Sequence, residues 1–317
     1  MSKINHMSLS VKKDLLTVVF LLALSIPMRS QTDFSNSWED FFSYNNVKDF
    51  ISNNDIIYAI ADNAAFIYDL ETGDMEKISS VHGLSGKETR SLHYSKSTER
   101  FIIGYQTGLI EIVDKGGKIT VANDIERLDI TGEKQINHIS EHKGSLYLST
   151  PFGIVVYDIE NLNFGDTYYI DENSSPVFVN ETLVYEDNIY AVTEKGIYSA
   201  LVDDPNLIDF NNWLQPEGDL LGNFRSISII ADKIFTCSSS LLFQFVGVDQ
   251  LIQRRNFNRT IQKLRSSDQL MTVTLSESAL VLDENLSLIY EAQWSPDYSF
   301  ELNTAYAEND QVLLGTK

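Results

Sequence analysis

Four histidines follow residue 30: His82, His93, His138 and His142. Two of them fall in His138-Ile139-Ser140-Glu141-His142, which matches the H-x-x-E-H pattern of zinc hydrolases. That chemistry needs a helix, where residues four apart share one face and one metal. Here the two histidines flank a strand end, so the ligand geometry is expected to fail. Gly104-Tyr105-Gln106-Thr107-Gly108 has the glycines of a phosphate loop but lacks both the lysine and the following helix. Neither a G-x-S-x-G elbow nor the spacing of a calcium loop occurs. Asp203-Asp204 reads as solvated loop charge. His82-Gly83-Leu84-Ser85 reads as a ligand contact or as a connecting turn, with Gly83 allowing a tight backbone and Leu84 plugging a core; the turn is the favoured reading. The residues therefore predict no catalytic group, no metal and no cofactor.

Among the elements that would carry such residues, Leu146–Asp158 sets the pattern. Leu146 and Leu148 alternate with Tyr147 and Ser149, the period of a strand with unlike faces. Thr150-Pro151-Phe152-Gly153 is a turn, since Pro151 donates to no ladder and Gly153 tolerates turn dihedrals. Ile154–Tyr157 is a β-branched and aromatic run suited to a buried strand. The same strand–turn–strand unit recurs at Ile56–Leu70, Phe101–Val113, Ile189–Leu201, Ile234–Val246 and Gln269–Leu282, and Val312–Thr316 begins another. A further apolar strand precedes each unit, at Val47–Ile51, Thr89–Tyr94, Gln135–Ile139, Phe178–Tyr185, Phe224–Ile230, Thr260–Leu264 and Leu302–Tyr306. A more polar fourth strand fits after most units: Met75–Ser79, Lys118–Asn123, Gly165–Ile170, Leu251–Phe257 and Leu288–Trp294. None is evident in the fourth unit. A period of about 35 to 45 residues in an all-β chain is that of propeller blades. The expectation is an all-β, seven-bladed β-propeller with four-stranded antiparallel blades, the last incomplete because the chain is truncated. Trp38–Tyr44, an aromatic stretch ahead of the first unit, is expected as a strand (37–44) that closes the ring on the last blade.

Composition bounds the partners. Asp and Glu number 45 against 24 Lys and Arg, a net charge of -21. Lys12 and Lys13 followed by the apolar run Leu15–Ile26 read as a signal peptide over residues 1–30, leaving 31–317 as the propeller. Removing that basic leader leaves a still more acidic domain, which argues against nucleic acid and anionic membranes as partners. Cys237, the sole cysteine, forms no internal disulfide and reads as a buried small hydrophobe. In a propeller the turns and blade crossings face the channel mouths, and a binding surface is expected there. Its candidates are Asp62, Asn63, Tyr105, Gln106, Phe152, Glu194, Lys195 and Glu277. Tyr105 and Phe152 would stack on a sugar or a partner protein; capping of the blades is the plainer role for any one of the eight.

Several runs carry a family resemblance. Trp38-Glu39-Asp40-Phe41-Phe42-Ser43-Tyr44-Asn45-Asn46-Val47, His82-Gly83-Leu84-Ser85, Phe101-Ile102-Ile103-Gly104-Tyr105, Gln135-Ile136-Asn137 and Phe152-Gly153-Ile154-Val155-Val156 resemble the first propeller of PorZ-type proteins of the Bacteroidetes type IX secretion system. The resemblance implies a non-enzymatic accessory of the attachment complex, exported to the periplasm and then to the cell surface at the outer membrane. Its implied partners are a PorU-like sortase, other attachment-complex proteins and anionic lipopolysaccharide. It implies a second propeller and a β-sandwich signal domain beyond this stretch. The repeat is also similar to periplasmic sensory propellers of two-component regulators that bind oligosaccharide, which is the alternative reading.

Overall fold

The computed structural model describes residues 43–267, 269–293, 301–308 and 311–317. The expected signal peptide and Trp38–Phe42 lie outside these residues. The first blade is β1 (Asp49–Asn53), β2 (Ile56–Ile60), β3 (Ala65–Asp69) and β4 (Met75–Ile78), paired in that order. The second is β5 (Thr89–Ser95), β6 (Arg100–Tyr105), β7 (Ile110–Val113) and β8 (Ile119–Ala122). The third is β9 (His138–His142), β10 (Ser145–Thr150), β11 (Gly153–Asp158) and β12 (Asn163–Tyr168). The fourth has only β13 (Val179–Tyr185), β14 (Asn188–Thr193) and β15 (Ile197–Leu201). The fifth is β16 (Ser226–Ile230), β17 (Lys233–Ser238), β18 (Leu241–Phe245) and β19 (Leu251–Asn256). The sixth is β20 (Ile261–Ser266), β21 (Met271–Leu275), β22 (Ser278–Leu282) and β23 (Leu288–Gln293). A two-stranded hairpin, β24 (Leu302–Glu308) and β25 (Gln311–Thr316), follows.

The expected seven blades, the last incomplete, are therefore corrected: among the described residues there are six blades, five of four strands and one of three, with a hairpin beside them. The fourth blade is short because residues 202–224 do not form a strand: they hold two prolines and a run of Asn and Asp that favour turns. They meet the outer edge of β15 only through isolated bridges, Gly196 to Leu221 and Ser199 to Leu214. Arg259–Leu264 and Glu88–His93, which also suit short helices on paper, contribute to β20 and β5.

One hydrogen bond recurs at the seams. The amide of the residue entering an innermost strand donates to a carbonyl at the end of the second strand of the preceding unit or in the turn after it. Thr89 donates to Asp62, Ile136 to Tyr105, Phe224 to Thr193, Ile261 to Ser239 and Leu302 to Ser276. Val47 donates in the same way to the carbonyl of Thr316, at the end of β25, at 2.8 Å. Side-chain amides repeat a second bond: Asn137 donates to the Val179 carbonyl, Asn180 to Phe224 and Asn303 to Val47. The hairpin thus sits between the sixth and first blades and is held to the first as any blade is held to the next.

Apolar side chains fill the wedges between blades. Ile102, Ile110 and Ile112 of the second blade pack on Ile139, Leu146 and Leu148 of the third, all buried. Burial of each such side chain contributes about 1.5–3 kcal/mol relative to exposure. Turns between third and fourth strands are capped by an aspartate at each of four places. Asp69, Asp114, Asp158 and Asp283 each accept two backbone amides two to four residues ahead. Four of the carboxylates in this acidic chain are therefore turn devices.

Candidate functional site

The eight turn residues share one face, because the turns between second and third strands touch the blade crossings. Asn63 donates to the Gly86 carbonyl at 2.9 Å, and Asp62 accepts from Asn46 at 2.6 Å with Lys48 at 3.7 Å. The Gln106 amide donates to Glu88, and that of Glu194 to Phe178. Lys195 pairs with Asp171 at 2.6 Å. Glu194, Lys195 and Glu277 are exposed, whereas Asp62, Asn63 and Gln106 are half-buried. Tyr105 and Phe152 are 0% and 5% exposed and present no ring to the face. Phe152 packs inside the third blade, its turn closed by Thr150, whose hydroxyl donates to the Gly153 carbonyl at 2.8 Å. Gly153 has φ of 148°, and a Cβ there would lie 2.4 Å from the Tyr168 oxygen, so only glycine fits.

Tyr105 is held by a buried carboxylate. Its hydroxyl donates to Glu111, which also accepts the Ser85 amide at 2.9 Å. Burial pushes both Tyr105 and Glu111 above their usual ranges. Leu84 is buried, Gly83 has φ of 107°, and the Ser79 amide donates to His82 Nδ1. His82-Gly83-Leu84-Ser85 is thereby tied into the second blade, as the turn reading expects.

A second constellation lies at the hub. Two residues after the seam residues, and at the matching place in β13, the innermost strands carry Asp49, Ser91, His138, Glu181, Ser226, Lys263 and Thr304 at one level of register. Lys263 Nζ lies 2.6 Å from Asp49 Oδ2, and Arg265 Nη1 3.3 Å from Asp49 Oδ1. Burial acts to raise the Asp49 pKa, but the two cations beside it prevail and hold it below the ordinary aspartate value. The Arg265 guanidinium lies between the rings of Phe50 and Tyr306, 5.1 and 5.0 Å from their centroids. Glu181 accepts the Ser226 hydroxyl at 2.8 Å and the Ile227 amide at 2.9 Å, and burial pushes its pKa up. Burial, aided by Lys263, pushes His138 down to about 3, and its Nδ1 accepts the Thr182 amide.

Below this level, Glu141 faces His93 Nε2 at 2.9 Å and accepts from Ser95 and Ser97. Burial raises its pKa less than these bonds lower it. His138 and Glu141 thus point to separate partners along β9, and among the described residues His142 Nε2 is buried without a hydrogen-bond partner and no group of three metal-ligating side chains forms. The hub encloses a cavity of about 470 Å³ that runs from Asp49 and Glu181 toward Ser52, Lys96 and Ser266, on the side away from the eight turn residues. A second hollow, about 560 Å³, lies between the first and second blades under the stacked rings of Tyr58 and Tyr94, 4.3 Å apart.

The carboxylates of the hub have internal partners. Asp49 is satisfied by two cations, Glu181 by a hydroxyl and an amide, and Glu141 by His93 and two serines. The arrangement touches all six blades through polar side chains. Its sequence signal is a polar residue two places after the entry residue of the innermost strand, apolar in most blades, as in Val47-Lys48-Asp49 and Ile261-Gln262-Lys263. The pairing across the ring has no local signal, since Asp49 and Lys263 are 214 residues apart.

Comparison with known proteins places the fold. Residues 57–214 match the family model described as the type IX secretion PorZ N-terminal β-propeller domain. No curated protein matches the chain. Among solved structures, PorZ of Porphyromonas gingivalis, described as a bacterial surface component of the type IX secretion system, aligns with a TM-score of 0.73 at 15% identity. The alignment covers 88% of this chain and 36% of that one, so this chain spans little more than a third of the PorZ structure. The extracellular domain of a putative hybrid two-component system from B. thetaiotaomicron aligns at 0.66 with 16% identity, over 86% of this chain and 39% of that one. The WD40 propeller of Doa1 aligns at 0.65 with 10% identity, over 86% and 90%. At these identities the structures speak for the fold alone, while the family match over residues 57–214 adds the sequence signature: the chain is a PorZ-type β-propeller.

Proposed function

We propose that this propeller serves as a non-enzymatic scaffold of the type IX secretion attachment complex. In that role it supports a PorU-like sortase as cargo is processed and joined to anionic lipopolysaccharide, at the cell surface after export through the periplasm. The observation that carries the reading is the match of residues 57–214 to the PorZ N-terminal propeller. The hub supports it, since its polar side chains are spent on one another and stiffen a ring. The exposed turn residues Glu194, Lys195 and Glu277 are the proposed partner contacts on the turn face, with Asp62, Asn63 and Gln106 at its rim. Among the described residues no helix is long and apolar enough to cross a membrane.

Deletion of the gene tests the proposal. Cargo should accumulate in the periplasm with uncleaved signal domains, and normal cargo processing in the deletion strain would refute the scaffold role. The alternative, a sensory propeller that binds oligosaccharide, has the likeness to the two-component extracellular domain in its favour. It predicts instead that deletion silences a transcriptional response and leaves cargo untouched.

A further inference from the structure

The fourth blade dispenses with an outer strand and carries residues 202–224 in its place. A stretch of this length without a strand is unusual in a compact domain and commonly functional. It is firmly anchored. Leu207, Trp213 and Leu220 are each 3% exposed and sit in the cores on either side. The Trp213 indole donates to the Leu207 carbonyl at 2.9 Å, and Leu214 exchanges two backbone bonds with Ser199. Gly196 is closed over by Pro216, whose Cβ would lie 2.4 Å from any Cβ added there.

Neighbouring apolar side chains of this anchored stretch point outward. Ile208, Leu214 and Leu221 are 51%, 44% and 59% exposed, as is Leu201 of β15 at 59%. Leu214 and Leu221 pair with Ser199 and Gly196, so with Leu201 they follow about 17 Å of one strand edge. The stretch 202–224 contains Asp203, Asp204, Asp209, Glu217 and Asp219 and not one Lys, Arg or His. Lys143 offsets Asp203, at 2.8 Å; the other four have no ion pair among the described residues. An aliphatic strip on a rigid, acidic support disfavours anionic membranes and suits a basic surface.

We propose that this rim of the fourth blade is a protein-docking site whose occupant is an apolar segment flanked by Lys or Arg on a partner protein. The proposal rests on the scaffold reading above and names the surface that a scaffold needs. Rigid presentation lowers the ordering cost of binding, and the carboxylates speed encounter.

The test introduces a photo-crosslinking residue at Leu214 or Leu221 in the full-length protein in its own cells, with Met75 and Val121 on the outer strands of other blades as controls. The expected result is one protein adduct at the rim positions, attached through a segment of apolar residues with basic flanks, and absent from the controls. Leu221→Asp with the crosslinker at Leu214 should lower adduct yield about thirtyfold, the loss typical of a central interface residue. Both leucines are exposed, so folding is not at stake; Asp219→Asn with Glu217→Gln gives an independent reading and should weaken the adduct several-fold. Adducts to lipid, to a second copy of this chain or to an acidic segment would overturn the proposal, as would equal labelling at the controls or none. Normal cargo processing in the Leu221→Asp strain, with failure in the deletion strain, would sink the rim site while leaving the scaffold reading intact.

Discussion

Asp49→Asn should weaken the fold more than any exposed substitution, and the hub geometry gives the size. The Asp49 side chain is 15% exposed, and its partners Lys263 and Arg265 are 23% and 15% exposed. Removing the carboxylate charge leaves two cations in a partly buried site without a counter-ion. Loss of one partner from a buried pair costs about 3–5 kcal/mol, and an amide that still accepts hydrogen bonds belongs near the lower figure. A domain has about 5–15 kcal/mol in total, so the change is a large share of it. The assay is urea unfolding at pH 7, followed by tyrosine and tryptophan fluorescence, for wild type, Asp49→Asn, Lys263→Met and the double variant. The double variant should recover roughly 2 kcal/mol relative to the sum of the singles. An Asp49→Asn midpoint within about 0.5 kcal/mol of wild type would refute the idea that this pair fastens the ring.

Three further outcomes follow from the geometry. Acid should loosen the hub. His138 is held down to about 3 against 6.5 unfolded, so the unfolded chain binds more protons between those values, and stability falls with pH across that window. Asp49, depressed below 3.8, adds to the loss at the acid end, whereas Glu181, raised by burial, opposes it. His138→Gln should flatten the slope of unfolding free energy between pH 6.5 and 4, and an unchanged slope would count against this assignment. Gly315→Ala should destabilise by about 1–3 kcal/mol, because its Cβ would stand 2.7 Å from Thr304 and 3.2 Å from the Val47 carbonyl. Chemical denaturation decides it, with Gly117→Ala as a poor comparison for strain but a good one for crowding, since nothing lies within 4 Å of a Cβ there. Cys237 is fully buried and its thiol is pushed up to about 12, so a thiol-specific disulfide reagent should modify it only in denaturant; rapid labelling of the native protein would contradict its placement.

Much of the wheel was legible because each unit is local. The second and third strands of a blade are adjacent in sequence, and alternation with turn residues marks them: Ile56–Ile60 and Ala65–Asp69 fall where the pattern puts them. The missing fourth strand of the fourth unit was visible too. The number of blades was less so, since the pattern counts Leu302–Thr316 as the start of a seventh blade where the described residues give a two-stranded hairpin beside six blades. The turns themselves were legible, but the direction of two rings was not. Tyr105 and Phe152 stand at turns, yet each ring folds back under the blade, toward Glu111 in one case and the apolar core in the other. Sequence spacing fixes where a backbone turns and not which way an aromatic side chain lies. The hub escaped altogether, because its partners lie in different blades and each charge alone resembles a solvated one.

The Asp49–Lys263 bridge has a consequence in time. Its two halves are separated by 214 residues, which a ribosome takes roughly 10–40 s to add at about 5–20 residues per second. Throughout that interval Asp49 is a lone, hydrated carboxylate, and blades one to five are an arc without its fastener. The arc must stay soluble on local sheet pairing and surface charge until the sixth blade arrives.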